Sequence, residues 1–405
     1  MIVALLLLVV ARVACGGKGR LAVDELGALH LSASNGQPVF VNGIDVSLMF
    51  ELLGQQNQRV EASVTTMQRR LEYFERSCCC VNNRNPTINL DVNVGFGINK
   101  WRGGVLANNG LVYGIPSHSS SVLILDPITK TVDVTSITGL TDVGGKWVGG
   151  VLADNGFIFG IPSDASMVLI LDPATNTADT TTIANLGPDA AKWNEGVLAN
   201  NGKIYGIPHN SQNVLILDPT TNSTDTSTLA NIAVGTRKWR GGTLASNGKI
   251  YAIPSHSPAV LIIDPSTNTT DTTTIASLGP NEYKWFGGVL ADNGKIYGVP
   301  HNSPAVLIID PATNTADTTS ITELGGESGK WSGGVLSNNG LMFCFPHDVA
   351  TVLIVDTKVD TSSMIAITDP ESSGERWDNG VVGPNGLVYG VPLDATSVLT
   401  IHPGC

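Results

Sequence analysis

Seven tryptophans make up the whole tryptophan content of this 405-residue chain, and they stand at one spacing. Trp101, Trp147, Trp193, Trp239, Trp285, Trp331 and Trp377 succeed one another at intervals of 46 residues. Each opens a near-copy of the stretch KWRGGVLANNGLVYGIP, which begins at Lys100. A unit of this length cannot bury its apolar face alone, so neighbouring copies must stack into an array.

One repeat reads as four strands. Residues 103–107 form the first, and Asn109-Gly110 supplies the positive φ angles of a tight hairpin. Residues 111–115 return and stop at Pro116; the unbroken apolar run 122–125 is a third strand buried on both faces. The more polar 134–137 is expected as the fourth, outermost strand. Four antiparallel strands per unit make a propeller blade, so the fold class is all-β, a seven-bladed β-propeller. The seventh repeat, from Trp377, runs out after three strands, while residues 87–94 alternate like a strand ahead of the first Trp. That segment is expected to supply the missing strand and close the ring, which removes exposed edges. The propeller then spans 87–405.

The stretch VLIIDPATNTADTTSI (306–321) resembles the repeats of YVTN-type propellers, where an apolar strand runs into an Asp-x-x-Thr-Asn turn. NGKIYG (293–298) is similar to strands of YVTN, kelch and other seven-bladed families. The resemblance covers residues 87–403 and implies a surface or secreted binding protein, with no catalytic residues to carry over.

Ahead of the repeats the pattern changes. MIVALLLLVVARVACGG is too short for a membrane span and reads as a signal peptide over 1–16. Residues 17–44 are a leader in which 28–33 and 38–41 are expected to pair as a small hairpin. Over 45–77, Val46, Leu53, Val60, Met67 and Phe74 alternate with Phe50, Asn57, Val64 and Leu71 at heptad spacing. This predicts an oligomerising coiled-coil stalk, with Asn57 setting its register. Cys78, Cys79 and Cys80, in the linker 78–86, and the final Cys405 are disulfide candidates in a secreted chain. Cys344 replaces a small repeat residue and reads as a buried thiol. Asn222 and Asn268 head Asn-x-Ser/Thr sequons on equivalent turns and are expected glycosylation sites.

Composition narrows the partners. The net charge is −12 with no basic stripe, which argues against nucleic acid. The expected partners are a glycan or an extracellular protein, together with self-association through the heptad helix; no cofactor or metal site is expected. The repeated tryptophans are read as inter-blade packing rather than a sugar-stacking ring. His118, Asp164, His209, His256, His301, His347 and Asp394 come after the IlePro elements and read as solvated turn residues. The positions after each Trp vary, and there Arg102, Glu195, Arg240 and Asp378 form the candidate ligand site, a mixed-charge funnel near the axis. The function read from these features is extracellular binding or adhesion. A lactonase- or oxidase-like propeller enzyme and a structural matrix or coat component are the alternatives.

Overall fold

Each Trp begins a strand because the residues after it form short apolar runs broken by turn residues. In blade 1, Trp101–Leu106 runs to the Asn109-Gly110 turn, Val112–Pro116 returns, Leu123–Asp126 descends and Thr131–Asp133 completes the sheet. The computed structural model describes the strand residues 19–23, 29–33, 40–41 and 44–45, then residues 85–141, 144–368 and 374–404. Within residues 85–404 the same four-stranded antiparallel sheet occurs seven times, as a seven-bladed β-propeller. Blades 2 to 7 begin at Trp147, Trp193, Trp239, Trp285, Trp331 and Trp377.

The seventh blade takes its outer strand from the start of the propeller. Thr87–Asn93 pairs antiparallel with Ser397–His402, with Val92 opposite Val398 and Ile88 opposite Ile401. Val92 and Val398 share an apolar cluster with Val112 and Leu125 of blade 1. The other clusters also lie between blades: Val105, Ile115 and Ile124 of blade 1 pack with Trp147, Ile158 and Leu169 of blade 2. The core is thus a ring of inter-blade layers.

The fourth strand is corrected. It covers Thr131–Asp133 rather than 134–137. Asp133 Oδ1 accepts the backbone N–H groups of Thr135 and Ser136, at 2.7 and 3.1 Å, so those groups leave the ladder for a turn. The leader is corrected too. Gly19–Val23 pairs with Leu29–Ala33, and Phe40–Val41 with Ile44–Asp45, so the expected partners do not pair with each other. These leader strands belong to a unit over Met1–Thr65, separate from that over Thr66–Cys405. The signal peptide, the heptad residues 46–74, Cys78–Cys80 and Cys405 lie outside the described residues. Among the described residues, no helix is long and apolar enough to cross a membrane.

Candidate functional site at the axis of the ring

Chain direction puts the start of every Trp strand and the loop after every IlePro on one face. Three seven-membered rings of residues line the axis there, because each blade contributes the same register. The second residue of each first strand gives Arg102, Val148, Asn194, Arg240, Phe286, Ser332 and Asp378. The third sits in a β-bulge and has positive φ. Five blades place glycine there, at 103, 149, 241, 287 and 333; the other two place Glu195, φ 62°, and Asn379, φ 61°. A Cβ on Gly103 would lie 2.9 Å from Gly149 Cα, so neighbouring backbones nearly touch. The residue after each Pro forms the third ring.

The structure brings the four predicted site residues together. Arg240 Nη2 lies 3.3 and 3.2 Å from the two carboxylate oxygens of Asp378, across the axis. Ser332 Oγ donates to Asp378 Oδ1 at 2.5 Å. Arg102 Nε stands 4.0 Å from Asp378, while its Nη2 reaches Glu375 at 3.1 Å and Asn99 Oδ1 at 2.8 Å. Glu195 extends from blade 3 toward Asn379 of blade 7, whose Nδ2 is 3.5 Å from Glu195 Oε1. The arrangement is more closed than a funnel: Arg240 and Asp378 are buried, and Arg102 and Glu195 are half-buried.

Electrostatics differ between the two axial carboxylates. Asp378 is desolvated, but Arg240 and Arg102 outweigh this and hold its pKa down at about 2. Burial pushes Glu195 up to about 7, and the charge of Asp378 pushes the same way against Arg240. Among the described residues Glu195 has no salt-bridge partner within 4 Å.

Several members of the site carry no clear sequence signal. Phe286 is sandwiched between the Arg240 guanidinium, 3.8 Å from its ring centre, and the stacked ring of His301 at 3.6 Å. His347 meets the edge of His301 at 4.9 Å, and its Nε2 lies 3.8 Å from Glu375. Both faces of Phe286 are covered, so it buttresses Arg240 and offers no stacking platform.

The expectation of solvated turn residues after Pro is corrected. His301 and His347 are buried, and His209 and His301 donate from Nδ1 to the carbonyls of Trp239 and Trp331 at 2.9 and 3.0 Å. Burial lowers all three below the ordinary histidine value, His209 to about 4 and His301 to about 2. The next position faces the loop entering the adjoining blade. There Asp164 and Asp394 accept the backbone N–H of Ala191 and Asn99, each at 2.6 Å. Within this set His118 is exposed. Among the described residues no cluster of three His, Cys, Asp or Glu is placed to hold a metal ion.

The tryptophans are 1–3% exposed, so no indole face is open to a sugar. Each Nε1 donates to the carbonyl 20 residues on, as Trp101 does to Ser121 at 2.8 Å. The lysine before six of the seven tryptophans, replaced by Arg376 in blade 7, has a role that sequence reasoning misses. Lys192 Nζ donates to the carbonyls of Ser163, Ala165 and Asp189 at 2.8–2.9 Å, joining two blades, and Lys238 and Lys284 repeat this. Its register is visible in the repeats, but backbone carbonyl acceptors leave no sequence trace. Cys344 is a buried free thiol, and burial raises its pKa. Asn222 and Asn268 occupy positive-φ positions, φ 51° and 52°, on exposed turns of the opposite face.

No protein-family model and no curated protein matches this chain. Solved structures do match. A streptogramin B lyase superposes with a TM-score of 0.61 at 12% identity, over 78% of this chain and 98% of the other. Virginiamycin B lyase from Staphylococcus aureus gives 0.61 at 9%, over 78% and 99%. The extracellular domain of a putative hybrid two-component system from B. thetaiotaomicron gives 0.57 at 10%, over 79% of this chain and 42% of that one. At such identities the likeness shows the fold alone: this chain contains a seven-bladed β-propeller.

Proposed function

We propose that the protein is a secreted binding protein whose ligand docks at the axial end of the ring, on the face where the Trp strands begin. The observation that carries this reading is the local loss of sevenfold symmetry. Blades that are near-copies elsewhere contribute Arg102, Arg240, Ser332, Asp378 and Glu195 to one spot. Drift on a scaffold would not require a non-glycine residue at a positive-φ position beside the axis, where five blades use glycine. A structural coat built of equivalent blades needs no such distinguished spot. Extracellular sensor domains share the fold, as do lyases, so the fold does not choose between binding and catalysis.

The heptad residues 46–74 would join several rings, and several copies of one face would gain avidity without new contacts. The ligand is a glycan or an extracellular protein carrying a group small enough to enter the axial site. The test is a screen of glycans and extracellular proteins against the mature chain, with and without residues 46–74. R102A and R240A variants are screened alongside. Binding is expected to fall at least about tenfold in either variant, the loss of a charge-assisted contact, and to weaken without the stalk. Binding that survives both arginine substitutions refutes the axial site.

One observation favours an enzyme as the second reading: a carboxyl held near pH 7 suits general acid–base work. Turnover of a lactone or other cyclic ester that is abolished in E195Q would replace the binding reading with that one.

A further inference from the structure

Around Asp378 the polar atoms are matched, while beside it the acceptors of Glu195 and Asn194 are not. In the ring after Pro the buried hydroxyls of Ser117 and Ser255 also lack partners. Asp378 is engaged through both oxygens by Arg240, with Ser332 and Arg102 beside it. Arg102 is further held by Asn99 and Glu375. Glu195 has one hydrogen bond, from Asn379 at 3.5 Å, near the limit for such a bond. Beside it Asn194 is 5% exposed, and its Oδ1 has no partner. A buried acceptor without a donor is costly and rare.

The charges point the same way. Two guanidiniums, Arg102 and Arg240, face three carboxylates, Asp378, Glu375 and Glu195. His347, against Glu375, stays neutral near pH 7 because burial lowers its pKa. Arg237 packs on Tyr283, and Arg376 donates to the carbonyls of Asp348 and Val349. With Glu195 ionised the axial group is one positive charge short, and it holds an acceptor in reserve. The chain also keeps Glu195 in a backbone conformation that glycine would adopt without strain.

We infer that the axial site takes a ligand bearing a protonated amine, with Glu195 as its counter-ion and Asn194 Oδ1 accepting one of its N–H groups. This rests on the axial binding site proposed above and names the chemistry that fills it. A carboxylate or phosphate ligand would add negative charge beside Asp378, Glu375 and Glu195, which already outnumber the two arginines. A neutral polyol would leave Glu195 without a counter-ion. Glu195 titrates near pH 7, with Asp378 facing it from blade 7 and Arg240 from blade 4. The ammonium therefore binds the ionised form, and affinity falls about tenfold for each pH unit below 7.

The test uses the full chain and three small probes that differ in one group: ethanolamine, ethylene glycol and glycolate. Binding is measured by NMR titration at pH 8 and again at pH 6. Ethanolamine is expected to bind at least about tenfold more tightly than the other two at pH 8, to weaken about tenfold at pH 6, and to lose its advantage in E195Q. E195G, which suits the local backbone, serves as a second variant should E195Q not fold. Failure of ethanolamine to bind, equal or tighter binding of glycolate, or a preference that persists in both variants overturns the inference. If a screened ligand is lost in R102A and R240A yet carries no amine, the inference fails and the axial site stands. If that ligand survives both arginine variants, the axial site itself fails.

Discussion

Glu195 and Asn379 show at the scale of one residue how the ring trades strain for chemistry. A side chain at φ near 60° costs ~1–3 kcal/mol relative to a relaxed backbone. Glycine escapes that cost but loses ~0.5–1 kcal/mol through its freer unfolded state. Glu195 also carries a desolvated carboxylate. E195G is therefore expected to melt about 1–3 °C higher than the parent by calorimetry, while losing whatever the axial site binds. At Gly103 the sign reverses. A methyl group there meets Gly149 Cα at 2.9 Å at φ 78°, so G103A is expected to melt lower. An E195G variant melting below the parent would mean that the side chain acts as a packing plug. The exceptional residues are visible in the sequence, since Glu195 and Asn379 stand where the other five repeats keep glycine. The Phe286–His301 stack is not. Its members are 15 positions apart, Phe286 on the Trp strand and His301 just past the end of the returning strand, and only the pairing of those strands brings them face to face.

Within a blade, the elements respond to acid in two ways. His209, His301 and His347 are held neutral by burial, so their folded pKa values lie below the 6.5 of the free group. The unfolded chain takes up those protons first, and stability is lost as pH falls through about 6.5. The turns after the outer strands act lower on the scale. Asp133, Asp179, Asp271 and Asp317 are held down at about 2, chiefly by a hydroxyl donor three residues on and then by a backbone N–H, and Asp225 is held lower still. A depressed carboxylate stabilises the fold above its unfolded value of 3.8 and stops doing so as pH falls through about 2. Melting temperature tracked from pH 8 to 2 should therefore drop in two stages, the first beginning near 6.5 and the second between about 4 and 2. H209N is expected to shallow the first stage and the pair D179N/D271N the second. An unchanged profile in both would detach these elements from acid stability. The same turns explain why sequence pattern places the fourth strand three residues too late. The stretch 134–137 has strand propensity, but the preceding Asp captures the amides that a ladder would need.

On the scale of the whole molecule, the ring closes through contacts between residues nearly 300 positions apart. Thr87–Asn93 completes blade 7, Asp394 accepts from Asn99 N at 2.6 Å, and Lys100 Nζ donates to Ala395 O at 2.9 Å. This closure is legible by counting, because seven repeats supply one outer strand too few and an alternating segment precedes them. The heptad spacing over 46–74 is also plain in the sequence, and those residues lie outside the described ones. Closure also assembles the axial cluster, which counting does not show: Arg102 of blade 1 meets Glu375 and Asp378 only across this junction. Opening the ring should therefore cost both stability and the axial site. Ile88 and Val92 pack into the inter-blade clusters that flank blade 7, and Val92 is 4% exposed. Replacing both with Asp would bury two unpaired carboxylates in the closing strand, a change that few folds tolerate. The I88D/V92D chain is expected to melt well below the parent, and binding at the axis should disappear below that melting point. S362D/M364D, on exposed positions of the outer strand of blade 6, is the control and should leave both nearly unchanged. Parent-like melting of I88D/V92D would show that the ring holds without its first strand. Lost stability with intact axial binding would separate Arg102 from the junction.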